Sequence, residues 1–169
     1  REICREAGVA EEFDHEEKLY EIGMDAFDER RYKDNLKSGL LALVLSLRHW
    51  GDVMMILTKG DPEVQKKKIN ALDMNGIFAK VEIVETTKTP EKFREMAGGL
   101  EGSLSFFAVG NDYDKDIAPA LSVGFRGIWI PVETWETIGQ TEKIQERMDK
   151  EHCRVFNSLT EIVERYAEL

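Results

Sequence analysis

The stretch at residues 104–131, LSFFAVGNDYDKDIAPALSVGFRGIWIP, decides the reading of the fold. Residues 105–109 form a short apolar run with the length and bulk of a buried strand. The run stops at Gly110, and three carboxylates follow closely: Asp112, Asp114 and Asp116. A second apolar run, 117–123, leads to Gly124, which reads as a helix stop. A strand-like run at 127–130 closes the unit. The order is strand, acidic loop, helix, strand. In parallel α/β sheets ligands bind at the carboxyl ends of the strands, which is where the acidic loop falls. Oxygen ligands clustered there suit a hard cation such as Mg2+. The same aspartates also suit the positive end of a helix as caps, and the residues alone leave both readings open.

Towards the N-terminus the pattern repeats. Residues 52–58, DVMMILT, are a continuous apolar run ending in a hydroxyl, as in a buried parallel strand. Lys59-Gly60-Asp61-Pro62 follows, with Asp61 as N-cap and Pro62 as first helical residue. A strand-end threonine beside a helix N-terminus can bind an anion, and it can equally be a capped helix and nothing more. Asn75-Gly76 reads as a turn and 81–84 as the next strand. Thr89-Pro90 opens another helix with Lys88 just before it, a position usual for a surface lysine. Upstream, Leu36, Leu40, Leu43, Val44 and Leu47 form one stripe of a helix over 36–50, and Leu19, Ile22, Ala26 and Phe27 form a helical face within 15–33. Downstream, a loop at 132–139 holds Trp135, and a charged helix spans 141–150. An edge strand follows at 153–156, and Ser158 with Glu161 makes a capping box that opens a helix to the last residue. The expected fold is α/β: a parallel, Rossmann-like sheet with helices on both faces, preceded by a helical segment.

Composition narrows the function. The 169 residues carry a net charge of −10, from 23 basic and 33 acidic side chains. That argues against nucleic acid and against anionic membranes as general partners. No apolar run reaches the roughly 18 residues of a membrane span. Cys4 and Cys153 make neither a disulfide framework nor a metal cluster, which fits a reducing, cytoplasmic setting. His15, His49 and His152 stand singly, with no nucleophile paired to them in the sequence. Oligomeric state is not legible.

Three segments together resemble a family. ILTKGD at 56–61, TTKTPEKF at 86–93 and VGNDYDKDIAPAL at 109–121 are similar to the second, third and fourth motifs of the haloacid dehalogenase (HAD) superfamily of phosphohydrolases. The resemblance covers 36–169 as the α/β core, and 1–35 resemble part of the superfamily's helical cap. It implies a Mg2+-dependent hydrolase acting on a small phosphorylated metabolite. By the same resemblance, Thr58 hydrogen-bonds the transferring phosphoryl group, assisted by the backbone of Lys59 and Gly60. Lys88 neutralises the charge of nucleophile and phosphate. Asp116 is the second acid of the fourth motif, at the metal site. Asn111 stands where many members have the first acid; it offers a carbonyl oxygen but no charge, a deficit that Asp112 would have to make up. The division of labour is that of phosphoryl transfer, in which positioning and charge stabilisation do most of the work.

One departure is large. Members of the superfamily begin with an apolar strand ending in Asp-x-Asp, whose first aspartate forms an aspartyl-phosphate. Neither Asp14 nor the pair Asp25 and Asp28 has an apolar strand before it. In the superfamily that strand lies between those read here at 52–58 and 105–109, so a gap is expected between them, with the missing segment expected upstream. The alternative is a non-catalytic domain of the same fold serving as a binding or interaction module. A flavodoxin-like receiver or nucleotide-binding domain is a third reading, against which no G-x-G-x-x-G or P-loop run is present.

Overall fold

Two parallel half-sheets carry the described part of the chain. The computed structural model describes residues 39–73, 76–98, 100, 105–132 and 138–169. The helical segment expected over 1–35, the first residues of the helix expected from 36, Asn75 of the turn and Trp135 lie outside the described residues. The elements run α1 (Leu40–Trp50), β1 (Met54–Lys59), α2 (Pro62–Ala71), β2 (Phe78–Val84), α3 (Pro90–Ala97), β3 (Phe107–Gly110), α4 (Ala118–Leu121), β4 (Arg126–Trp129), α5 (Thr141–Arg147), β5 (Cys153–Val155) and α6 (Leu159–Glu164).

The alternation of strand and helix is the one the sequence predicts, with shifted ends. β2 begins at Phe78, three residues before the expected 81, and α5 stops at Arg147. The helix expected over 117–123 differs more. A π-helical turn, Tyr113–Ile117, leads into a single α-helical turn at Ala118–Leu121. Pro119 has no amide for the carbonyl four residues back, so a regular helix cannot run through this point unbroken. The terminal helix likewise ends at Glu164 and gives way to a 3-10 turn, Tyr166–Glu168. Ser158 caps its start, accepting from the Glu161 amide at 3.1 Å.

β4 is the centre of the larger half-sheet, flanked by β3 and β5, all parallel. Strand alternation sends Ile128 to one face and Trp129 to the other. Ile128 packs with Leu43 of α1, Phe156 and Ile162. Trp129 joins Tyr113, Ile117, Ala120, Ile144 and Cys153 on the opposite face. Both faces are therefore covered, as expected. The α1 stripe serves the first layer: Leu43 and Val44 are buried, while Leu41 and Leu45 point outward. Cys153 is a buried free thiol, and burial pushes its pKa up to about 11. No helix of the described residues is long and apolar enough to cross a membrane.

The smaller half-sheet is β1 with β2, in a register that sets Thr58 opposite Ile83 and Lys59 opposite Val84. Among the described residues no ladder joins β1 to β3. Instead a cleft of about 110 Å³ separates them, lined by Met55 and Leu57 from one side and by Ala108 and Val109 from the other. Although β1 reads as a buried strand, none of its residues is fully buried. Val109 of β3 is 47 % exposed. The halves are bridged around this cleft by Leu57 packed against the larger core, by the edge of Phe93 in α3 against Phe125, centroids 5.8 Å apart, and by one ion pair described below.

Candidate active site

Gly110, the last residue of β3, allows the acidic loop to fold back on the strand. A Cβ there would lie 2.4 Å from the Asp116 Cβ and 2.6 Å from its Oδ2, so only glycine leaves room for this carboxylate. Asp116 is then fixed from two sides. Its Oδ2 accepts the Asp112 amide at 3.1 Å, and its Oδ1 accepts the Lys88 ammonium at 2.7 Å. The Lys88 and Asp116 side chains are only 18 % and 13 % exposed. Lys88 comes from the loop after β2 and Asp116 from the turn after β3, so this pair ties the two half-sheets together at their carboxyl ends. It also lines the cleft between them.

The other loop acids face elsewhere. Asp114 turns outward to Arg147 of α5, whose Nη2 donates to both carboxylate oxygens at 2.6 and 2.8 Å, and so leaves the cluster that the spacing of the three aspartates suggested. Asp112 caps the π-helical turn: one oxygen accepts the Lys115 amide at 3.0 Å and the other lies 3.1 Å from the Lys115 ammonium. Asn111 is exposed, and its backbone carbonyl accepts the Trp129 indole N–H at 2.9 Å. Tyr113 packs edge-on to Trp129 and accepts the Asp149 amide at 3.1 Å. The loop is thus held by buried aromatics on one side and ion pairs on the other. Among the described residues no three His, Cys, Asp or Glu side chains converge as a metal cluster. Asp116, Asp112 and Asn111 nevertheless offer oxygen donors, the chemistry a hard cation takes.

At the end of β1, Thr58 is half-buried and donates its hydroxyl proton to Gln65 Oε1 at 3.3 Å. Lys59 beside it is exposed. The Gly60 amide is engaged by the Val84 carbonyl at 2.9 Å. Asp61 caps α2, accepting the amides of Glu63 and Val64 at 2.9 and 3.0 Å. The helix N-terminus is therefore filled by its own cap, which is the plainer of the two readings the sequence allowed there. Lys88 and Asp116 meet directly and Asp112 joins them through its backbone amide, whereas Thr58 shares with Lys88 only the carboxyl edge of the β1–β2 half-sheet. Gln65 and the Gly110 cradle escaped the sequence reading. A glycine between an apolar strand and an acidic loop was the signal for the second; a lone helical glutamine gave none for the first.

No protein-family model and no curated protein matches the chain. Among solved structures, a haloacid dehalogenase-like family hydrolase from Xanthomonas campestris superposes with a TM-score of 0.66 at 18 % identity. The match takes in 98 % of this chain and 63 % of that one, so the chain spans less than two thirds of the solved protein's length. Parallel strands with helices on both faces agree with that likeness: the chain has the haloacid dehalogenase-like fold.

Proposed function

We propose that this chain is the α/β core of a phosphohydrolase that cleaves a small phosphomonoester with the help of Mg2+. The observation that carries the reading is the Lys88–Asp116 pair, nearly buried at the carboxyl ends where the two half-sheets meet. A poised, desolvated cation is what the charge of a transferring phosphoryl group requires. In this reading the cleft between β1 and β3 is the place of a strand carrying the nucleophilic carboxylate. Attack on phosphorus forms the aspartyl-phosphate and expels the alcohol; water then releases phosphate.

Each residue has a task in this scheme. Thr58 donates its hydroxyl proton to a phosphoryl oxygen. Lys88 offsets the negative charge gathered by nucleophile and phosphate, and Asp116 holds Lys88 in line. Mg2+ would be held by Asp116 with oxygens from Asp112 and Asn111, and it would supply Lewis-acid stabilisation of the phosphoryl oxygens. Asn111 contributes no charge, so affinity for the cation depends on the remaining carboxylates. A reducing compartment suits the free Cys153.

A second reading, a non-catalytic domain of the same fold, draws on Asp112, whose carboxylate is engaged by Lys115. One assay separates the two: Mg2+-dependent hydrolysis of p-nitrophenyl phosphate by the natural full-length polypeptide. The enzyme reading expects Asp116→Ala to lower turnover at least ~100-fold, about 2.7 kcal/mol of barrier, with the circular dichroism unchanged. Wild-type turnover in that variant removes Asp116 from the site. A folded wild-type protein without turnover supports the module instead.

A further inference from the structure

Helical side chains lean towards the N-terminus of their helix, so Gln65, one turn into α2, reaches back over the end of β1. Its Oε1 accepts the Thr58 hydroxyl proton at 3.3 Å. Its Nε2 lies where a Cβ on Gly60 would come within 2.5 Å, and Gly60 has a φ of +146°. The amide therefore rests against the bare face of Gly60 and occupies the hydroxyl that the phosphoryl group is to use. The neighbouring donors are committed: the Gly60 amide to Val84, and the first amides of α2 to Asp61.

We propose that Gln65 is a positioning residue for oxyanion binding at Thr58, an inference that rests on the phosphohydrolase reading. With the site empty, Oε1 holds the Thr58 hydroxyl in place of a phosphoryl oxygen. When an oxyanion arrives, Thr58 turns its proton to it, and the Gln65 amide rotates so that Nε2 donates to the Thr58 oxygen or to the anion. No covalent bond changes; one hydrogen bond is exchanged for two.

The test is titration of the natural full-length protein with tungstate, followed by calorimetry and by the side-chain amide signals of Gln65 in nitrogen-15 spectra. The wild-type protein should bind with a shift of those signals. Gln65→Glu, which places a negative charge beside the anion, should weaken binding at least tenfold, and Gln65→Met about threefold to tenfold. Both should melt within a few degrees of wild type, because Gln65 is only half-buried. If Gln65→Met binds as tightly as wild type while Thr58→Val loses binding, the role of Gln65 is overturned and the phosphohydrolase reading stands. If the folded wild-type protein binds no tungstate, both fall.

Discussion

The two half-sheets contain strands of similar apolar content and treat them differently. β4, the tetrapeptide RGIW, is buried at its last three residues. β1, MMILTK, has no fully buried residue. β4 has a hydrogen-bonded neighbour on each side and a packed layer on each face, whereas among the described residues β1 has a partner only in β2 and meets a cleft on its other edge. An apolar run thus records what a strand is suited to bury, and its neighbours decide what is buried. The proposed site lies where the better-packed half meets the open one, with Gly110 and the acidic loop on the first and Thr58 and Lys88 on the second.

That contrast predicts unequal responses to core truncation. Phe156 is fully buried beside Ile128, and Phe156→Ala should cost about 3–5 kcal/mol in urea unfolding. Leu57→Ala in β1 removes a half-buried side chain that lines the cleft and should cost about 1 kcal/mol. Equal costs would mean that β1 is packed as tightly as β4.

Next in size is the cradle. Gly110→Ala forces the Asp116 side chain or the β3 backbone to move, with an expected stability loss of about 1–3 kcal/mol. Because the displaced group is the partner of Lys88, turnover should fall by more than stability does. A variant that is destabilised but fully active would detach the cradle from the site.

The effect confined to high pH belongs to the larger half alone. The Cys153 thiol keeps its proton up to about pH 11 in the folded state, against an ordinary value of 9.0. Below pH 9 both states are protonated and the thiol contributes no pH dependence. As pH rises from 9 to 11 the unfolded chain loses the proton first, so the folded state loses about 2 kcal/mol of stability over that window. Cys153→Ala should lack this component, seen as a gap to wild type that narrows with pH in urea titrations. A gap constant with pH would mean that the thiol is not shielded.

The sequence made the strand order and the candidate site residues legible because each motif sits at a strand end with its own turn chemistry: Asp61-Pro62, Thr89-Pro90, and Gly110 before the acidic loop. It did not show that Asp114 leaves the cluster, since the π-helical turn that rotates it towards Arg147 depends on Pro119 and on packing of Tyr113 against Trp129. Nor could it show that Gln65 meets Thr58, a contact made by the angle of α2 to β1. The resemblance places a further strand beside β1, and among the described residues no ladder joins β1 to β3.

The seam between β1 and β3 is the claim on which both the comparison and the proposed site depend, and oxidative cross-linking of Leu57→Cys with Ala108→Cys tests it most directly. Adjacent strands lie about 4.8 Å apart, so a strand-wide gap sets these positions roughly 9–10 Å apart. A disulfide needs Cα atoms within about 7 Å. Strands held apart in this way form no intramolecular disulfide under conditions that leave the fold intact. Rapid, complete cross-linking in the folded protein would place β1 against β3, close the seam, and contradict the claim.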